Sequence, residues 1–134
     1  MEENENLEQQ ENELFIADEL MKEIEAQVKE LRTNNPKLKA IYPIVVEGNV
    51  EYGEKERIVA YFRQPTFMVF SKYLTASQKN QAVGMRELAK DCFLAGDREL
   101  IDDDSLFLFG LMPQISKIIE MRHGKLVNLS TPGK

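Results

Sequence analysis

The sequence predicts an α+β protein: an N-terminal heptad helix, a β-hairpin, then a three-helix C-terminal part. Three observations carry that reading. Apolar residues first recur at helical spacing, the pattern changes to β-branched and aromatic runs over residues 38–63, and helical spacing returns from Pro65 onward. A chain of 134 residues makes one small domain with a modest core. The expected boundaries are an acidic disordered tail at 1–13, an amphipathic heptad helix at 14–35, a single α+β domain at 36–129 and a short tail at 130–134.

The tail accounts for the net charge. Glu2, Glu3, Glu5, Glu8, Glu11 and Glu13 fall in a stretch without a base, and the rest of the chain then holds 17 acids against 17 bases. An electrically neutral body with an acidic tip is a poor nucleic-acid binder, because phosphate binding needs clustered Lys and Arg. The stretch is also low in apolar residues, which predicts disorder.

Leu14, Ala17, Met21, Ile24, Val28 and Leu31 follow at alternating spacings of three and four, a heptad seam flanked by Glu, Lys and Gln. Two readings stay open. The seam packs the helix on its own domain, or it serves self-association or a partner helix, with Leu14, Met21, Ile24, Val28 and Leu31 as the contact residues. Pro36 disfavours helix at Asn35 and ends the element.

Residues 38–63 predict a hairpin. "LKAIYPIVVE" and "RIVAYFR" are the strands, and "GNVEYGEKE" between them supplies glycines and charges for the loop. Pro43 lacks an amide donor, which places the first strand at an edge or marks a bend. On the second strand Ile58, Ala60 and Phe62 share one face while Val59 and Tyr61 share the other, so both faces need cover.

Three helices are expected after it, at about 66–78, 80–95 and 103–123. Thr66 can cap the first, in which Phe67, Phe70, Tyr73 and Leu74 line one face. Gly96 can close the second in a left-handed conformation. The run Asp102, Asp103, Asp104 matches a helix N-terminus, whose free amides and positive dipole end favour acids. Adjacent aspartates cannot all turn inward on one ion, so an EF-hand calcium loop does not fit. Pro113 predicts a kink or break near Phe109 and Gly110, and Gly124 is the expected stop after Arg122 and His123.

Function classes narrow by exclusion. One Cys and one His provide neither an internal disulfide nor a usual zinc set. Cys92 lies on an apolar helix face with no base nearby in sequence, the pattern of a buried structural thiol. No nucleophile with a base, phosphate loop or carboxylate pair stands out, so the chain is read as non-catalytic, without cofactor or metal. Lacking an apolar run long enough to span a bilayer, or the pattern of a secretory signal, it is expected to be cytoplasmic and without membrane association.

The order of hairpin, "YFRQPT", short helix and "MRELAKDCFLAGDRELIDDDSLFLFGLMPQISKIIEMRHGKLVNL" resembles the small acidic tail assembly chaperones of tailed phages and prophages. In that group a strand ends in an aromatic-x-Arg-x-Pro-Thr turn, matched by Tyr61, Arg63, Pro65 and Thr66. A Cys-aromatic-small-Gly-Asp turn is matched by Cys92, Phe93, Ala95, Gly96 and Asp97, and a final Ile-Glu-x-Arg end by Ile119, Glu120 and Arg122. The resemblance covers about residues 38–129; the acidic heptad N-terminus and Pro113 depart from the pattern. It implies a protein that shields a long hydrophobic helical partner, the tape measure protein, during tail assembly in the bacterial host. Phe67 and Phe70, with the heptad seam, are the expected partner contacts. The alternative is a homo-oligomeric structural or regulatory interaction protein built on the heptad helix.

Overall fold

The computed structural model describes residues 2–119 and 124–129, with side chains from residue 18 onward. The expected α+β class holds: helices pack around a three-stranded antiparallel sheet of order β1-β2-β3. Helix α1 spans Glu2–Asn34, so the acidic stretch expected to be a disordered tail has helical backbone continuous with the heptad segment. Its Glu and Gln residues are good helix formers, and glutamates suit the positive end of the helix dipole. After α1, the Arg32 guanidinium donates to the carbonyls of Leu38 and Lys39 (3.3 and 2.9 Å) and fixes the turn into the sheet.

Strands β1 (Ile41–Glu47) and β2 (Arg57–Arg63) form the expected hairpin, with Pro43 opposite Tyr61 on the edge strand. The connecting loop carries a 3₁₀ turn at Val50–Tyr52, with Asn49 as its cap. Thr66 and Asn80 then cap α2 (Phe67–Lys79) and α3 (Gln81–Cys92) by accepting from the amides of Val69 and Val83. Lys72 ties the two helices together through Asp91 at 3.1 Å.

A third strand joins the sheet where the sequence pattern predicts the end of a helix. Helix α3 stops at Cys92, not near residue 95, and Phe93–Gly96 forms β3 against β2, with a register shift between Tyr61 and Phe62. Phe93 continued the apolar helical pattern, but here its ring packs edge-on against Phe62 at 6.0 Å. Gly96 is left-handed (φ 106°), as expected, yet it ends a strand instead of a helix. A Cβ there would lie 2.5 Å from the Val59 carbonyl oxygen.

Beyond the sheet come α4 (Glu99–Asp102) and α5 (Asp104–Leu106), then a wide π turn at Phe107–Leu111, α6 (Met112–Ile115) and a 3₁₀ turn at Ser116–Ile118. The π turn is the expected break at Phe109 and Gly110. Proline at 113 removes a donor and crowds the carbonyl four residues back, and widening the preceding turn relieves both. The helix expected to reach residue 123 ends at Ile118, since a 3₁₀ turn sustains only a short run. Gly124 lies exposed in irregular chain, while Glu120, Arg122 and His123 of the segment it was expected to stop, and the tail at 130–134, fall outside the described residues.

Both faces of β2 are covered, as its composition requires. Ile58, Ala60 and Phe62 join the main core with Leu88, Cys92, Leu100, Ile101, Phe107, Leu111 and Ile115. On the opposite face Tyr61 packs with Ile24 and Leu31 of α1, and Leu20, Val28, Val59 and Leu94 surround them. The molecule thus has three layers, with α1 on one side of the sheet and the later helices on the other.

Candidate functional site

Packing decides between the two readings of the heptad seam for its described part. Ile24 and Leu31 are buried and Val28 is half-buried, all against the chain's own sheet. The Tyr61 phenol is pushed up in pKa first by burial and then by the Glu23 carboxylate, which fits α1 lying across it. Ile24 and Leu31 are thus taken up by the chain's own sheet, since a sheet with two apolar faces takes the nearest amphipathic helix, while the half-buried Val28 also lines an open groove with Glu25, Lys29 and Arg32. Met21 remains 48% exposed, and the side chain of Leu14 lies outside the described residues.

Helix α2 behaves differently. None of its residues is buried; Val69 and Tyr73 lean on the core while Phe67 and Met68 stand 85% and 73% exposed and Leu74 is also open to solvent. Phe70 is half-buried, its ring 5.7 Å from that of Tyr73. Phe67 and Phe70 line a recess of about 250 Å³ whose other walls include Pro65, Ile118 and Ile119. Both aromatic residues singled out in the sequence therefore meet at one surface, which Ile118 and Ile119 complete from the end of the 3₁₀ turn at Ser116–Ile118. No local pattern connects those isoleucines to α2, so only the tertiary fold reveals them.

This recess adjoins a larger cleft of about 580 Å³ between the α1–β1 turn and the end of β2, and Gln64, Pro65 and Thr66 belong to both. Lys37, Lys39 and Arg63 line the larger cleft, and among the described residues no acid does. The buried Nε of Arg63 has no hydrogen-bond partner among the described residues. A third cleft, of about 640 Å³, lies across the molecule beside Val50, Tyr52 and Phe109, with Glu47, Glu51 and Glu54 among its walls.

The remaining singled-out residues are structural. Asp103 alone caps α5, accepting from the Leu106 amide at 2.9 Å. Asp102 ends α4, and Asp104 takes a 2.8 Å bond from Arg86, whose Nε also donates to the Ile101 carbonyl and whose guanidinium lies over the Phe107 ring. Asp97 accepts from the Val59 amide and from Lys55 at 3.1 and 2.8 Å. Burial pushes its carboxyl up, but the bonds from Lys55 and Val59 and the Lys55 charge outweigh that and hold it below the usual carboxylate range. The Cys92 thiol is pushed up to about 11, chiefly by burial, with Arg63 opposing and Asp91 adding to the rise. Among the described residues no His, Cys, Asp or Glu cluster could hold a metal ion, and no helix is long and apolar enough to cross a membrane.

Comparison with protein families, curated proteins and solved structures finds no match to this chain.

Proposed function

We propose that the chain is a non-catalytic binding protein that covers an apolar helical segment of a protein partner. The resemblance of its turn motifs makes that role the one of a phage or prophage tail assembly chaperone, with the tape measure protein as partner. One observation carries the binding role: α2 holds Phe67 and Met68 in solvent beside the Phe70 recess. Exposed large apolar groups clustered around a concavity mark protein contacts more often than scattered single ones do. An amphipathic helix laid on such a surface buries anchors at every third or fourth position. The adaptable Met68 side chain suits a partner of loose sequence.

Co-expression with a long, apolar, helical tail protein tests this reading. The expected result is a soluble partner that co-purifies with the chain, and loss of both in Phe67→Ser and Met68→Ser variants with unchanged thermal stability. A partner that stays insoluble beside well-folded wild-type chain would overturn it.

Self-association through α1 has less to stand on. Of the described seam side chains only Met21 is exposed.

A further inference from the structure

We propose that the cleft lined by Lys37, Lys39 and Arg63 binds carboxylates of an acidic amphipathic helix in the partner, whose apolar face lies on the adjoining Phe67 and Phe70 recess. The inference rests on the binding role proposed above and adds the charge of the partner. Among the described residues three bases and no acid line the cleft, in a chain of net charge −6. That local excess is unneutralised, since Lys37, Lys39 and Arg63 make no ion pair among the described residues.

Arg63 adds a second, independent observation. Its Nε is buried without a partner among the described residues, so the guanidinium is fixed with that donor shielded from water and takes an anion through its other nitrogens. Arginine presents a planar fork that takes a carboxylate through two parallel bonds, whereas the lysines act as point charges at the rim. Apolar side chains of Pro36, Leu38 and Pro65 fill the wall between them, so the cleft suits an acid carried on an apolar body better than a fully hydrated small anion. Continuity is direct, because Gln64, Pro65 and Thr66 line both concavities.

The chain's own glutamates do not occupy the cleft in cis. Helix α1 has 33 residues and is about 50 Å long, with Asn34 at the cleft and the glutamate-rich end at the opposite end of the rod.

Fluorescence anisotropy of the full chain with a labelled helical peptide bearing leucines on one face and glutamates on the other tests the inference. A twin with lysines in place of the glutamates is the control. The glutamate peptide should bind and the lysine twin should not. Arg63→Gln should weaken binding about tenfold, the scale of one charge-assisted bond, and added salt should weaken it further. Lys37→Gln with Lys39→Gln, both at exposed positions, should weaken it in the same direction even if Arg63→Gln perturbs the fold.

Equal binding of both peptides, lost in Phe67→Ser but kept in the charge variants, would overturn the acidic-partner inference and leave the apolar docking role standing. Failure of both peptides to bind would remove both. A salt-sensitive dimer of the chain alone, abolished when the six N-terminal glutamates become glutamine, would assign the cleft to a second copy and overturn the partner assignment. Competition by millimolar inorganic phosphate with no preference between peptides would mark a small-anion cleft and also overturn it.

Discussion

Asp97 shows how much a single side chain can join. One carboxylate binds the β2 backbone at Val59 and the hairpin loop at Lys55, and its own amide donates to the Val59 carbonyl at 2.8 Å. Because its folded pKa lies below the ordinary 3.8, the unfolded chain binds the proton more tightly. The stabilisation is therefore complete above that ordinary value and is lost as pH falls through the folded value. Asp97→Asn should lose about 1 kcal/mol at neutral pH, from the weakened Val59 and Lys55 bonds, and should flatten the acid limb of a denaturant-midpoint against pH series. Cys92 gives a second residue-scale prediction. With no exposed surface and a thiol raised to about 11, it should resist a disulfide-exchange reagent in the native chain at pH 8 and react at once in denaturant. Its burial was legible from its place on an apolar helix face. The Arg86 clamp on Ile101, Asp104 and Phe107 was not, because its partners lie 15 or more residues away.

At the scale of elements, the hairpin and the caps of α2 and α3 could be read from local chemistry, and β3 could not. A four-residue strand has no periodicity of its own to detect, and Phe93 extends the apolar face of α3. What distinguishes it is a neighbour distant in the chain: Ala60 opposite Gly96 and Tyr61 opposite Ala95. Gly96→Ala should cost about 2 kcal/mol, from a non-glycine residue at positive φ with its Cβ against Val59, measured as a shift in urea midpoint. The seam of α1 was visible as a seam, but its docking partner depended on which sheet face lacked cover. Leu31→Ala should lose roughly 2–4 kcal/mol through the cavity left beside Tyr61 and leave the sedimentation mass unchanged. A drop in oligomeric state would instead point to a contact between chains.

For the whole molecule, the sheet divides the apolar material into two clusters of unequal size. The larger lies between the sheet and the later helices; the smaller lies under α1. Phe67→Ser, at a position outside both clusters, should move thermal stability by less than about 0.5 kcal/mol, so any loss of partner binding in that variant reports on the surface and not on folding. The candidate site was half legible for the same reason. Phe67 and Phe70 announced themselves by helical spacing, while Ile118, Ile119 and the basic wall of the cleft come from segments that only the three-layer arrangement assembles.

The order of the strands also governs how the chain is completed during synthesis. The central strand, β2, pairs at once with β1 ten residues behind it, but its other edge waits for Gly96 and Asp97, and the Val59–Asp97 bond spans 38 residues. While the ribosome is still translating that interval, an emerging chain has the far edge of β2 unpaired, in addition to the outer edge of β1, and an incomplete floor for α1. That interval is the window in which a nascent chain is most open to pairing with another molecule, and it closes only when the segment from Phe93 onward has left the exit tunnel.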